Sequence, residues 1–154
     1  MNIPNTSRQI LIHGLALIFV GLVWGLVVPH TPFPRLALTA HVEFESNGLL
    51  IAFVGGLLLT VPHRAGPKSV GMMLLATWLT WTMALSEAAN SWWGTNQLLS
   101  QAAKQAGATG GTDWQEAVIK VTHISSGLAL IVAFALLIAG FVKGSGGNGS
   151  AKSP

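Results

Sequence analysis

The chain of 154 residues contains no cysteine and no tyrosine. The absence of cysteine excludes disulfide bonds, thiolate nucleophiles, and zinc or iron–sulfur centres held by thiolates. Charged residues are scarce as well, since they make up 8% of the chain against about 25% in an ordinary soluble domain. Any chemistry must therefore depend on histidine, carboxylate and amide side chains.

Hydrophobic residues, by contrast, make up 51% of the chain, and the mean hydropathy is +0.57. Four apolar segments, at about residues 10–28, 37–61, 70–93 and 114–142, have the length of about 20 residues that a helix needs to cross a bilayer. The predicted fold class is an all-α membrane protein, a four-transmembrane-helix bundle over residues 1–143. We expect the first segment to be a span, because it is too long for the apolar core of a signal peptide. Residues 144–154 are predicted to form a disordered polar tail.

The net charge of +3 is spread along the chain without a basic run, so no nucleic-acid partner is predicted. Most of the basic residues instead fall before the first span, in the second loop and in the tail. These are Arg8, Arg64, Lys68, Lys143 and Lys152, whereas the other two loops hold Arg35 and Lys104. The positive-inside rule then predicts that both termini are cytoplasmic, which four spans permit.

The second span carries an unusual polar cluster at His41, Glu43, Glu45 and Asn47, followed by Gly48. A carboxyl at mid-membrane costs roughly 2.5 to 3.5 kcal/mol on insertion scales, so these side chains are expected to face protein, water or a cofactor. Helical spacing puts His41, Glu45 and Gly48 on one face and Glu43 and Asn47 on another. Because one bundle covers one face, we expect a neighbouring subunit to cover the other.

Further polar residues lie in the other spans. Thr80, Glu87 and Asn90 fall along one stripe of the third span. His13 in the first span and His123 in the fourth are each open to two interpretations, a structural histidine or a member of a pocket.

The segment between the third and fourth spans is predicted to hold a short surface helix over residues 96–105, followed by a flexible loop that either caps a pocket or is merely solvated. Asp113 is predicted as the N-cap of the fourth helix, with Glu116 at the third helical position, a variant of the capping box.

From the residues alone, two classes of function fit about equally well. A neutral histidine oriented by a carboxylate or carbonyl is a good ligand for haem iron. Intramembrane glutamate and histidine are also the usual relay residues of a proton- or cation-coupled transporter. A purely structural four-helix protein is the third interpretation.

One motif resembles a known family. Ala40-His41-Val42-Glu43, followed by Asn47-Gly48, resembles the second-span motif A-H-L-E-x-x-x-N-G of bacterial hydroxylaminobenzene mutases, and residues 114–117, Trp-Gln-Glu-Ala, resemble the start of their fourth span. More distantly, His41 and Asn47-Gly48 resemble the A-H-x(5)-N-G segment of styrene oxide isomerases, and His13-Gly14 resembles the H-G of their first span. The resemblance covers nearly the whole chain.

This resemblance implies a membrane-bound isomerase of the bacterial inner membrane, assembled as a homotrimer. It implies a haem b ligated through iron by His41, with His13, Glu45 and Gly48 as further cofactor-binding positions. The expected reaction converts hydroxylaminobenzene to 2-aminophenol by redox-neutral Lewis-acid catalysis at ferric iron. The candidate catalytic residues are Glu43, Asn47, Thr80, Glu87 and Asn90.

Three positions depart from the two families. The epoxide isomerases have a tyrosine near the substrate where Asn90 is the nearest counterpart here, the mutases have an asparagine where Thr80 aligns, and Glu45 stands at a position that is usually apolar or glycine. The alternative reaction is therefore isomerisation of styrene oxide to an aldehyde on the same haem, and the alternative of another class is the coupled transporter.

Overall fold

The computed structural model describes residues 2–145 and forms four long helices and one short one. The helices are α1 (Ile3–Val27), α2 (Pro34–Thr60), α3 (Pro67–Trp93), α4 (Ser100–Ala106) and α5 (Asp113–Ser145), and a 3-10 turn over Val28–His30 follows α1. The four long helices are long and apolar enough to cross a membrane. The predicted all-α, four-span fold is confirmed. The disordered-tail prediction falls mainly on residues 146–154, which lie outside the described residues.

Sequence signals account for most of the helix ends. Pro4, Pro34 and Pro67 stand in the first turn of α1, α2 and α3, where a missing N–H costs nothing. α3 ends at Gly94, whose backbone is left-handed with a φ of 64°, and the ring of Phe33 lies against it. The predicted start of the surface helix at residue 96 is wrong, because α4 begins at Ser100.

The starts of α2 and α5 and the end of α3 meet at one end of the bundle, which we call the distal end because α1 begins at the other. The Phe33 N–H donates to the Ser91 carbonyl at 3.1 Å, and the Asn96 N–H donates to the Glu116 carboxylate at 2.8 Å. At the opposite end the Arg64 N–H donates to the Gly140 carbonyl at 3.0 Å. The helices α2 and α5 therefore run in the same direction.

Glycines allow α1 and α2 to lie in close contact. A Cβ at Gly48 would lie 2.8 Å from the Ile18 backbone nitrogen, and one at Gly55 would lie 2.5 Å from the Leu11 nitrogen. Helices in lipid gain contact through small residues in this way because no hydrophobic force drives them together. The second close pair, α3 and α5, is linked by the Thr80 and Ser126 hydroxyls at 3.3 Å.

The two pairs are joined mainly through α2 and α3. No Cα atom of α2 comes within 8 Å of a Cα atom of α5 over residues 2–145. The backbones of these two parallel helices are therefore not closely packed, and side chains of both line the space between them, which we call the crevice.

We predict that Gly55→Ala destabilises the bundle, because the added methyl collides with the backbone of α1 at Leu11 and such overpacking costs about 1 to 3 kcal/mol. Gly56→Ala is the matched control, since a Cβ at Gly56 meets nothing within 4 Å. Thermal unfolding in mild detergent, followed by tryptophan fluorescence, should give a lower midpoint for the first variant only. Equal midpoints would contradict the close-packing account.

Candidate active site

His41 lies on α2 with its ring against α1. Its Nδ1 atom is 2.8 Å from the Gly21 carbonyl oxygen, and a carbonyl can only accept, so Nδ1 carries the proton. The ring fits here because Gly25 has no side chain, and a Cβ there would lie 3.1 Å from the imidazole. Nε2 is thereby left with its lone pair, which is the tautomer of a metal-ligating histidine whose other nitrogen is hydrogen-bonded.

The His41 side of α2 is not fully covered by α1. Glu45 follows one turn later, and its Oε1 atom lies 3.7 Å from His41 Nε2. The side chain of Glu45 is 36% exposed and that of His41 is 24% exposed. Gly48, on the same side, is buried against Gly14 and Ile18. The three predicted cofactor-binding residues on this face of α2 therefore have different surroundings. His41 and Glu45 border open space, whereas Gly48 lies in the close contact between α1 and α2.

Glu43 projects from α2 on the other side, where it meets residues of α3 and α5. His123 Nε2 lies 3.4 Å from Glu43 Oε1 and 3.8 Å from Glu87 Oε2. His123 Nδ1 lies 2.8 Å from the Ile119 carbonyl oxygen, so Nδ1 carries a proton here as well. One imidazole nitrogen therefore faces two carboxyls, an arrangement that requires at least one further proton among the three groups. We call Glu43, Glu87 and His123 the acidic cluster.

The acidic cluster is buried and incompletely hydrogen-bonded. Glu87 is fully buried, and neither of its carboxyl oxygens has a hydrogen-bond partner among residues 2–145. The Glu43 Oε2 and His123 Nε2 atoms are likewise buried without hydrogen-bond partners in the described chain. Unmet polar groups in a dry site are costly, so this cluster has unused capacity to bind a polar ligand group.

The acidic cluster lies at one end of the crevice between α2 and α5. Asn47 stands one turn after Glu43, is partly buried, and has no hydrogen-bond partner within residues 2–145. Farther from the distal end, the crevice widens into a groove of about 180 Å³ with entirely apolar walls. The groove is lined by Leu50, Phe53, Val54, Leu57, Phe134, Leu137, Ile138 and Phe141.

Three candidate residues lie elsewhere or have other partners. His13 packs against Trp78 with ring centroids 4.6 Å apart, about 12 Å along α1 from Gly21 at 1.5 Å per residue. Thr80 bonds to Ser126, about two helical turns from Glu87. Asn90 Oδ1 accepts the N–H and hydroxyl of Thr95 at 2.9 and 2.8 Å, whereas Asn90 Nδ2, one turn after Glu87, is buried without a hydrogen-bond partner in residues 2–145.

His123 was left open by the sequence and belongs to the acidic cluster. A usable signal existed: Glu43 and His123 each stand about ten residues after the start of spans that begin at the same end, so they lie at equal depth. Which helix faces which neighbour is not written in the spacing, however. Within residues 2–145, no group of three or more His, Asp or Glu side chains, the acidic cluster included, has an arrangement that could hold a metal ion by itself.

The predicted capping box is shifted by one residue. Thr112 precedes α5, its carbonyl accepts the Glu116 N–H at 3.0 Å, and the Gln115 side chain returns to the Thr112 N–H at 2.8 Å. The prediction of Asp113 as N-cap is therefore wrong, because Thr112 offers the same chemistry one position earlier. Glu116 instead accepts the backbone N–H groups of Asn96, Gln97 and Gly111. The segment between α3 and α5 is thus attached to α5 over the distal end.

These features define a multi-pass membrane protein with histidine and carboxyl groups collected at one depth inside the bilayer. Comparison with known proteins identifies the family. The styrene oxide isomerase family model matches residues 6–142. The chain therefore belongs to the styrene oxide isomerase family, and it is an enzyme of the isomerase class.

Two curated relatives from Ectopseudomonas oleovorans are similar over most of their length. Hydroxylaminobenzene mutase HabB is 29% identical over 146 residues, covering 91% of this chain and 86% of the relative. Hydroxylaminobenzene mutase HabA is 29% identical over 133 residues, covering 84% and 94% respectively. No solved structure matches the chain significantly. The resemblance inferred from the motif around His41 is confirmed at the level of the family.

We predict that Glu116→Gln loosens the segment between α3 and α5. An amide has one accepting oxygen in place of two, so at least one of the three backbone N–H groups loses its partner, at a cost of about 1 to 3 kcal/mol. Amide hydrogen exchange at Asn96, Gln97 and Gly111 should become at least about tenfold faster. Asp113→Asn, an exposed acid in the same turn, should leave those rates unchanged, and equal rates in both variants would contradict this role.

Proposed function

We propose that the protein rearranges an aromatic hydroxylamine within the bacterial inner membrane, converting hydroxylaminobenzene to 2-aminophenol. The similarity to two hydroxylaminobenzene mutases over most of the chain supports this reaction class. The atoms balance without an added oxidant: the N–O bond breaks, a C–O bond forms at the ortho carbon, and the proton leaving that carbon is replaced by one gained at nitrogen.

The cofactor proposed for this reaction is haem b, with His41 as its protein ligand. The observation that carries this proposal is the 2.8 Å contact between His41 Nδ1 and the Gly21 carbonyl, because it frees Nε2 at a position that is 24% exposed. Glu45 and His13 are the further cofactor-binding candidates from the same resemblance. When bound, the haem would supply a Lewis-acidic ferric iron without net electron transfer.

The chain's own residues supply the polar part of the reaction. Glu43, in the acidic cluster, has a buried oxygen free of hydrogen bonds, so it is the group proposed to accept the proton from the ring carbon and to stabilise positive charge on the ring. The Asn47 amide is proposed to donate a hydrogen bond to the migrating hydroxyl. Glu87 and His123 are proposed to keep a proton within reach of Glu43, and Asn90, whose buried Nδ2 atom has no hydrogen-bond partner in residues 2–145, to orient the Glu87 carboxyl. Thr80, whose hydroxyl contacts that of Ser126, is proposed to act through packing.

The proposal includes a homotrimer with both chain termini on the cytoplasmic side. Glu45 is 36% exposed at membrane depth, and a carboxyl bordering lipid is costly. Contact with a second copy would cover it. The distribution of Lys and Arg supports the orientation.

A second candidate reaction is the isomerisation of styrene oxide to an aldehyde, which the family model favours by its description. The same apolar groove and acidic cluster would suit an aromatic epoxide. Supplying both substrates to one preparation and identifying the products separates the two reactions.

We predict that purified wild-type protein has a Soret absorption band and that His41→Ala loses both the band and the production of 2-aminophenol, because the substitution removes the imidazole proposed to hold the iron. His30→Ala is the control, since His30 is exposed in the turn after α1 and should keep both. A His41→Ala protein with an unchanged Soret band would contradict the proposed ligand.

We further predict that Glu43→Gln lowers kcat by roughly 10² to 10⁴, the usual contribution of a positioned acid or base, while the Soret band remains. Ser46→Ala, which removes a lipid-side hydroxyl bonded only to the Val42 carbonyl, should change kcat less than about twofold. Steady-state kinetics on the two variants would rule out the assignment if both retained wild-type kcat.

A further inference from the structure

One glycine in α5 has no packing role. A Cβ at Gly127 would meet nothing within 4 Å, whereas a Cβ at Gly48, Gly55 or Gly140 would lie under 3 Å from a neighbouring helix or loop. Glycine costs a helix about 1 kcal/mol relative to alanine. No other helix approaches Gly127 closely enough to require a glycine there. The open space beside Gly127 therefore needs another explanation.

The space lies on the crevice side of α5. Gly127 follows His123 by one turn and precedes Phe134 by about two, which puts all three on one side of the helix at 3.6 residues per turn. Phe134 lines the apolar groove together with Leu50 of α2, and Leu50 follows Glu43 by two turns. Gly127, with open space beside it, therefore lies between the acidic cluster and the apolar groove on this side of α5.

The acidic cluster and the open space at Gly127 match the two halves of an aromatic amine or hydroxylamine. Glu43, Glu87 and His123 present four buried oxygen or nitrogen atoms without hydrogen-bond partners in residues 2–145. Gly127 lies about 6 Å along α5 from His123, whereas the groove begins at Phe134, roughly 16 Å from His123 at 1.5 Å per residue. A small ring whose nitrogen substituent meets the acidic cluster therefore lies beside Gly127. The groove beyond it has purely apolar walls and a volume of about 180 Å³, which is enough for a ring to pass, since an apolar cavity of roughly 150 Å³ holds benzene.

We propose that the space beside Gly127 holds the aromatic ring of the substrate, which enters from the bilayer through the groove between α2 and α5, and that the absence of a side chain at this position sets the largest ring accepted. This inference rests on the proposed function for the identity of the substrate. It adds a specificity-determining position on α5, a helix that carries none of the motif residues around His41.

The test compares Gly127→Ala and Gly127→Leu with Gly56→Ala and Gly56→Leu, since Gly56 is another transmembrane-helix glycine whose added Cβ meets nothing within 4 Å and it does not line the groove. For hydroxylaminobenzene we expect kcat/KM to fall at least about tenfold in Gly127→Leu, mainly through KM, because a single methylene in an apolar pocket is worth about 10- to 200-fold and leucine adds four carbon atoms. Gly127→Ala should reject 1-hydroxylaminonaphthalene more strongly than hydroxylaminobenzene. Both Gly56 variants should stay within about twofold of wild type.

A second readout does not depend on turnover. Binding of 4-fluoroaniline, followed by fluorine NMR, should weaken about tenfold in Gly127→Leu and remain unchanged in Gly56→Leu. If the wild type fails to make 2-aminophenol but binds 4-fluoroaniline with this dependence on Gly127, the proposed reaction falls and the ring site stands. If the wild type is active but the Gly127 and Gly56 variants behave alike in both assays, the ring site is overturned. Gly127→Ala keeps the comparison decisive should the leucine variant fail to fold.

Discussion

The structure depends on the cost of placing ionisable groups in a medium without water. Three glutamates, Glu43, Glu45 and Glu87, lie within the spans away from the helix ends, and each would cost several kcal/mol if it faced lipid as an isolated charge. The chain meets this constraint with imidazoles: His41 lies 3.7 Å from Glu45, and His123 lies between Glu43 and Glu87. Each histidine ring is in turn fixed by a backbone carbonyl: Gly21 of the neighbouring helix α1 for His41, and Ile119 in the preceding turn of α5 for His123. Fixing the imidazole in this way leaves Nε2 as the reactive nitrogen in both places.

The glycines determine where these pairs can form. Gly21 and Gly25 let the His41 ring lie on the surface of α1, and the close packing at Gly48 and Gly55 keeps α1 and α2 together as one unit. The α3 and α5 pair uses hydroxyl contacts such as that between Ser86 and Thr122 at 2.8 Å. Because each pair is tight within itself, the looser contact falls between α2 and α5. The crevice is thus a consequence of where the small residues are.

The spans could be predicted from the sequence because apolar length and first-turn prolines are local signals. The division of α2 into two polar sides was also predictable, since it follows from helical spacing alone. The residues that face each polar side could not be predicted, because they depend on which helices are neighbours. Equal depth in parallel spans makes Glu43 a possible partner of His123, but the sequence does not say that their helices face each other. The cap of α5 was missed for a different reason, since Thr112 and Asp113 both have capping side chains and only the backbone geometry decides between them. The open space at Gly127 could not be predicted from the sequence, because it depends on how far the neighbouring helix lies from α5.

The two polar sides of α2 also bear on assembly. His41 and Glu43 are two residues apart and project about 160° from each other at roughly 100° per residue. Within one copy, the proposed haem ligand and the proposed acid or base therefore point to opposite sides of the same helix, and the body of α2 stands between them. A reaction that needs both groups is easier to build if the half-exposed His41 side of one copy faces the open crevice of the next. In a closed ring of identical copies every such contact is the same. The His41 side of each copy would then face the crevice of one neighbour, and its own crevice would face the His41 side of the other. The exposed carboxyl of Glu45 would be covered by the same contact, so that one interface would meet both the chemical and the solvation requirements.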